Sequence, residues 1–498
     1  MFDEMQGASP PADGADAAPY DLVVVGAGVA GLNALYAATE YLPSTARALL
    51  IDQKHAPGGM WNTAYDYVRL HQPHPMFTVG DMTWDWSKPR DYLARRDEVR
   101  DHLARAIGAV SGRINLEVAL SRTVASCDEV QTDRGPRARL RFHANDMPEQ
   151  ATTVEATRAI FASGLDYRPA EPLALSSRNV VSIIPQATLE TLAAHPRAPV
   201  CVVGGGKTGM DTVLAVLSQD PSRKVTLVNG RGTNFLNRTK YIPTGLARWT
   251  SGKLISRFFR DLALQFDGEN EDKTVAYIRR VYSTDAGAAN EVFLYGLQSE
   301  EERRRISAGL HRTHADYLTD VADSPAGPVM RFRSGPEAEI DEGSIIVNCT
   351  GSFFRQAEMA DAHPLLSPGQ SVLRIHPRDS FHFLTSVAGF FTTHLLYRGL
   401  LTGKGFYSLD HEGLFRTNRN AWVGASSAQA YLNQTLAVKT LPLTLLDRCG
   451  LDLDRWYPLP RRMLGLVQMM AGAKRDVAHC RKALDRVAAR YGVHCAEL

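Results

Sequence analysis

The chain is poor in cysteine, and none of the cysteines it has is spaced for redox work. Six (Cys127, Cys201, Cys349, Cys449, Cys480 and Cys495) are scattered through 498 residues, with no Cys-x-x-Cys pair and no metal-ligand spacing. That excludes a dithiol centre and a disulfide-stapled scaffold, and makes the reducing cytoplasm the expected compartment. An excess of one charge is also missing. The formal net charge is +2, which gives no electrostatic reason to expect nucleic acid or an anionic membrane as partner. No run approaches the roughly 18 consecutive apolar residues of a spanning helix. The densest stretch, Phe381–Leu401, is interrupted by His394 and Arg398. Residues 1–19, acidic and proline-containing, lack the basic start and apolar middle of a signal peptide and read as a disordered leader. No Gly-x-Ser-x-Gly elbow is present, so scattered Ser, His and Asp residues do not assemble into a triad.

What the chain does have is a glycine pattern that occurs twice. Gly26-Ala27-Gly28-Val29-Ala30-Gly31 follows the apolar run Leu22–Val25, and Gly204-Gly205-Gly206-Lys207-Thr208-Gly209 follows Val200–Val203. Each loop opens an amphipathic stretch. In that context glycines let the backbone approach a pyrophosphate at a helix N-terminus, which assigns Gly26, Gly28 and Gly31 to one cofactor and Gly204, Gly206, Lys207, Thr208 and Gly209 to another. Two dinucleotides in one chain point to a flavin and a nicotinamide, here FAD and NADPH. After the first loop the spacing predicts a helix over Leu32–Leu42 and a strand Ala48–Ile51 that ends on Asp52. This carboxylate falls at the distance from Gly31 expected for a ribose partner. After the second loop the strand Lys224–Val228 ends on Asn229 instead, and Gly230-Arg231-Gly232 follows. A missing acid with a nearby arginine suits the 2′-phosphate of NADPH. The alternative is that Arg231 caps a surface loop.

These units set an α/β architecture of two Rossmann-like dinucleotide-binding domains, with a mostly helical insertion and a helical C-terminal region. The expected boundaries are 20–165 for the FAD domain, 166–330 for the nicotinamide domain with its insertion at about 233–325, 331–400 for the return to the FAD domain, and 401–498 for the helical region. Short alternating segments within 113–162 suggest an antiparallel excursion on the first sheet. Strand ends at Ser163-Gly164 and at Asn348-Cys349-Thr350-Gly351 carry small residues suited to chain crossings beside bound cofactor, so Thr350 and Gly351 join the cofactor-binding candidates. The insertion aromatics, such as Trp249, Phe258 and Tyr295, read as packing.

Together with Gly58-Gly59-Met60-Trp61, which follows Asp52 by a few residues, these features resemble the two-dinucleotide-domain flavoproteins that include flavin-containing, Baeyer–Villiger and N-hydroxylating monooxygenases. The resemblance covers roughly residues 20–400 and adds Gly58, Gly59 and Trp61 as residues beside the flavin. It implies reduction of FAD by NADPH, oxygen addition at flavin C4a to give a hydroperoxide, and insertion of one oxygen from O2 into a small organic substrate. It further implies that the stretch Tyr67-Val68-Arg69-Leu70-His71-Gln72-Pro73-His74 lies near the flavin and nicotinamide. Gln72 would be the amide that protects the oxygen adduct, with Arg69 and His71 as substrate or phosphate contacts; half-exposed loop residues are the plainer reading of the histidines. The phenylalanine-glycine-histidine fingerprint of the group is absent before the second loop, where Asn179–Gln186 stand. The usual Gly-Asp is replaced by the stretch Thr385–His394. A reductase or dehydrogenase that makes no productive use of oxygen, or a non-catalytic flavin redox sensor, therefore stays open.

Overall fold

The computed structural model describes residues 18–164, 170–284, 291–351, 354, 359, 361–450 and 452–498; the expected leader lies almost wholly outside them. The chain begins with β1 (Tyr20–Val25), α1 (Val29–Ala38), β2 (Arg47–Ile51), α2 (Arg96–Ser111) and β3 (Asn115–Ala119). Three long antiparallel-paired strands follow: β4 (Arg122–Thr132), β5 (Gly135–Ala144) and β6 (Ala151–Phe161). The first sheet runs β3-β2-β1-β6-β5-β4. β1 pairs in parallel with β2 and β6, whereas β5 is antiparallel to both neighbours. The unbroken Leu22–Val25 run is buried because helices cover one face of a parallel sheet and the β4–β5 excursion covers part of the other.

The second unit contains β7 (Val181–Ile183), α3 (Thr188–Ala194), β8 (Val200–Val203), α4 (Lys207–Gln219) and β9 (Val225–Val228). The insertion follows, with β10 (Thr233–Asn237), α5 (Arg238–Tyr241), α6 (Ile255–Gln265), α7 (Glu271–Tyr282), β11 (Ser283–Thr284), β12 (Val292–Gln298) and α8 (Glu300–Gly309). The chain then re-enters the second sheet through β13 (Leu310–His314). A small antiparallel sheet of β14 (Leu318–Ser324), β15 (Gly327–Phe332) and β16 (Glu337–Glu339) precedes β17 (Ile345–Asn348). The second sheet reads β13-β9-β8-β17-β7 and is parallel throughout.

Two expected boundaries shift. β17 pairs with β8, so the second unit extends past 330 to Asn348, and the return to the first unit begins only after it. The insertion ends before β13 and is less helical than its aromatic-rich sequence suggests, because β10, β11 and β12 form a three-stranded sheet of their own. The return is β18 (Val372–Arg374), added to β6, and α9 (Thr385–Tyr397), packed against α1. The contact is close: a Cβ on Gly389 would fall 2.4 Å from the Ala30 carbonyl oxygen.

The C-terminal region comprises β19 (Tyr407–Leu409), α10 (His411–Thr417), α11 (Arg419–Thr440), α12 (Leu443–Arg448), α13 (Leu459–Tyr491) and β20 (Cys495–Glu497), the last paired with β19. A single 33-residue helix, α13, supplies a third of the expected helical region. Residues of α1, α6, α9, α11 and α13 share a single core, while the second unit has separate ones. The insertion thus leaves the second unit in sequence but buries its apolar face on the first unit and the C-terminal helices. No described helix is long and apolar enough to cross a membrane.

Candidate cofactor sites

Gly26 adopts φ +107°, and a Cβ there would fall 2.1 Å from the Ala162 carbonyl oxygen at the end of β6. A Cβ on Gly31 would meet the Gly26 oxygen at 1.8 Å. Only glycine permits both approaches. Gly28 is the N-cap of α1, with no side-chain cap and no acid in the first turn, so the leading N–H groups face outward unneutralised. Gly58 and Gly59, both at positive φ, close over this loop: the Gly58 N–H donates to the Ala27 carbonyl at 2.9 Å, and a Cβ on Gly59 would fall 3.0 Å from the Gly28 Cα. Trp61, half-buried, packs edge-on against Phe77. Asp52, buried at the end of β2, accepts from the Ala27 and Lys54 N–H groups at 2.5 and 2.6 Å. Burial pushes its carboxyl up while these two bonds pull it back. Each carboxylate oxygen has a second lone pair open to a hydroxyl.

The second loop repeats this construction. Gly204 has φ +124°, its Cβ position lies 2.6 Å from the Cys349 oxygen at the end of β17, and that of Gly209 lies 2.0 Å from the Gly204 oxygen. Thr350 and Gly351 are exposed just beyond this contact, with Thr350 bonding Asn348 through its backbone N–H and hydroxyl. Gly206 caps α4 without side-chain help, and no atom lies within 4 Å of its Cβ position. Lys207 forms an ion pair with Asp211 one turn later, and the Thr208 carbonyl accepts from the Thr212 hydroxyl. Asn229 follows β9 beside Gly205, and its buried Oδ1 has no hydrogen-bond partner among the described residues. Arg231 is exposed between two left-handed glycines; its carbonyl accepts from the Glu291 N–H at 2.7 Å, and among the described residues its guanidinium makes one loose 3.9 Å contact, with the Glu291 carboxylate. Such a pair contributes little and leaves the guanidinium available.

The segment after Trp61 joins the units. The Tyr65 hydroxyl donates to Asp211 at 2.9 Å, the Tyr67 hydroxyl lies 2.8 Å from that of Thr212, and the Gln186 amide donates to the Thr63 carbonyl. The His71 carbonyl accepts from Arg238, whose guanidinium also pairs with Glu302 at 2.9 Å. Burial, then the positive charges of Lys207 and Arg238, push the His71 imidazole down to about 3, so the ring is neutral. Burial alone would raise Glu302, but Lys207 and Arg238 hold it below its usual range. Gln72 follows His71, half-buried. Arg69 is not part of this junction. It is exposed, packs over Tyr92 at 5.8 Å and donates to the Leu93 carbonyl. His74 is enclosed by Trp84 and Trp86. Sequence reasoning missed Tyr65, Tyr67, Asp211 and Glu302. The i,i+4 spacing of Lys207 and Asp211 was a readable signal for one of them; the two tyrosines had none.

Residues 20–242 match the family model described as pyridine nucleotide-disulphide oxidoreductase. The matched segment takes in the first unit from β1 to β6, without its return through β18 and α9, and runs through the second loop to the end of α5. All six cysteines are free and buried. An uncharacterised protein of Mycobacterium tuberculosis (strain ATCC 25618 / H37Rv) is 30% identical over 242 residues, covering 45% of this chain and 41% of that protein; one of Mycobacterium bovis matches equally. The chain spans about two fifths of the length of these curated relatives. Among solved structures, Tmm from Pelagibacter sp. strain HTCC7211 is 12% identical with a TM-score of 0.46, covering 87% of this chain and 89% of that one. A flavin-containing monooxygenase from Stenotrophomonas maltophilia is 16% identical with a TM-score of 0.44, covering 77% and 98%. At these values neither likeness carries a functional argument.

Proposed function

We propose that the chain is an FAD- and NADPH-dependent oxidoreductase acting as a single-component monooxygenase on a small organic molecule. The observation that carries the reading is the pair of glycine loops, each ending in an uncapped helix N-terminus and joined through Tyr65, Asp211 and Lys207. The residues fit both groups. The first loop, Asp52 and the Gly58–Gly59 cover would hold FAD. The second loop, the unpartnered Asn229 Oδ1 and the exposed Arg231 would hold NADPH. When bound, the flavin would supply hydride acceptance and oxygen activation.

The protein's own part is orientation and exclusion of water. The backbone N–H groups of α1 and α4 bind pyrophosphate, and Asp52 holds the first loop by its Ala27 bond while accepting from ribose. Tyr65 and Tyr67 fix the angle between the units. His71, neutral beside Lys207 and Arg238, adds no charge to the junction. Gln72 contributes an uncharged amide to orient the nicotinamide and suppress loss of oxidant as peroxide. The test is NADPH oxidation under labelled dioxygen with hydrogen peroxide measured in parallel. One labelled oxygen in an organic product is expected, and Gln72→Ala should retain flavin but divert more NADPH to peroxide. Steady NADPH turnover with no label in any product across a metabolite panel would replace this reading by the reductase one, which the missing fingerprint before the second loop favours.

A further inference from the structure

Away from both glycine loops, a cavity of about 390 Å³ lies between the insertion, α9 and the C-terminal helices. Phe259 of α6, Val387 and Phe391 of α9, Val438 of α11, Leu446 of α12 and Leu466 of α13 line it. Leu443, Leu459 and Met463 also border it and are 60%, 59% and 44% exposed, so its mouth is ringed by apolar side chains. A cavity of this size and lining suits a small apolar ligand.

The charged groups on its wall are committed to the protein. Asp454 accepts from the Ile255 N–H at 2.7 Å and the Ser256 N–H at 3.2 Å, and bonds the Ser256 hydroxyl. Asp452 pairs with Arg462 at 3.0 Å. The Asn433 amide donates to the carbonyls of Phe381 and Tyr407. His382 differs. It is 7% exposed, and its Nδ1 accepts from the Leu384 N–H at 2.9 Å, which places the ring proton on Nε2. Burial, then nearby His411, push this imidazole down to about 3, so it is neutral near pH 7. Among the described residues, Nε2–H has no hydrogen-bond partner. Gln434, half-buried on the same wall and also without one, can donate or accept.

The chamber adjoins both cofactor units. Its Val387 lies on the helix that packs through Gly389 onto α1. His382 stacks on Phe383, with ring centroids 4.8 Å apart, and Phe383 stacks on Tyr295 at the same distance. The next residue of β12, Gly296, presents its Cβ position 3.9 Å from the Lys207 Cβ.

We propose that this chamber receives the organic substrate, and that the substrate is an uncharged, largely apolar molecule whose oxygen acceptor is bonded by the His382 Nε2–H. The word substrate rests on the monooxygenase reading above; the ligand site itself does not. A charged group would have to shed its water here against walls whose two carboxylates are already occupied, Asp452 by Arg462 and Asp454 by the Ile255 and Ser256 donors.

Calorimetry on the flavin-loaded full chain with four compounds of one shape tests this. These are benzyl methyl ether, its hydrocarbon counterpart propylbenzene, N-methylbenzylamine as the cation, and phenylacetate as an anion. The ether should bind about three- to tenfold more tightly than propylbenzene, the effect of one neutral hydrogen bond, and neither ion should saturate in the same range. Val438→Trp should abolish binding of both neutral compounds. His382→Phe should keep propylbenzene and lose the ether's advantage. Equal binding of ether and hydrocarbon, tighter binding of either ion, or unchanged binding in Val438→Trp would overturn the proposal. The first two outcomes are read in the unmodified protein, so they stand even if His382→Phe or Val438→Trp does not fold. Because no turnover is needed, absence of NADPH-dependent flavin reduction would count against the enzyme reading alone.

Discussion

In the first unit a Cβ on the last glycine of the loop would fall 1.8 Å from the first glycine's oxygen, and in the second the same distance is 2.0 Å. In both, the first glycine is pressed against a carbonyl at the end of the neighbouring parallel strand. The middle glycines part company. A Cβ on Gly28 would lie 3.5 Å from the Gly59 Cα, whereas one on Gly206 would have open space. Strand ends differ too: the first acceptor is a carboxylate already bonded to its own loop, the second an amide oxygen with no partner. What the loops share is what the fold requires of them. Where they differ is in their cover: Gly59 closes over the first loop, and the second is open at Gly206.

That division can be broken in graded steps. The largest effect should come from the shared contacts. Gly31→Ala and Gly209→Ala both drive a methyl group into backbone, and each should cost about 3 kcal/mol or more, read by chemical denaturation. A mild effect for either would show that its loop can relax and would undo the equivalence. Next come the middle positions. Gly28→Val should purify with flavin occupancy reduced at least tenfold, judged by absorbance. Gly206→Val should fold, keep its flavin and weaken NADPH alone; normal flavin occupancy in Gly28→Val would remove FAD from the first loop. Arg231→Ala should then lower the preference for NADPH over NADH by about tenfold, since one charge-assisted contact is worth roughly 1.5–3 kcal/mol and Lys207, Arg238 and Lys240 can share it. Equal efficiency with the two nicotinamides in the unmodified protein would sink that assignment.

The smallest test uses acid. His71 and His102, both in the first unit, are pushed down to about 3, mainly by burial. Below about pH 6.5 the unfolded chain takes up protons that these folded positions refuse, so stability falls as pH drops toward 3 and is complete above 6.5. His314 of the second unit is only half-buried. Hydrogen exchange at pH 4.5 should therefore show the first unit loosening before the second, and the reverse order would contradict the sign.

Much of this was readable before any coordinates, because strand, glycine and helix lie next to one another in the chain. Val200–Val203 is a strand as expected, and α1 lies within a few residues of its predicted ends. The pairing of β17 with β8 was not readable, since four apolar residues carry no mark of which sheet they will join. For the same reason the insertion's small sheet passed as helix. At the junction, His71 could be placed from its neighbours in sequence, but Arg69 lies two residues away and is turned out over Tyr92 by a local strand bridge between Arg69 and Arg95. Tyr65 and Tyr67 acquire meaning only once α4 arrives from 140 residues later.

The first unit is interrupted by the second, and this sets an order of events at the ribosome. All five strands of the second sheet lie between Val181 and Asn348, so that sheet can close as soon as Asn348 has emerged. The first sheet must wait for β18, and α1 stays uncovered until α9 has been made. During synthesis the chain therefore carries a closed inner sheet while the apolar flank of α1, Leu32 and Leu35 among it, and the apolar face of the insertion are still exposed, and that interval is when the nascent protein is most open to aggregation and to chaperones.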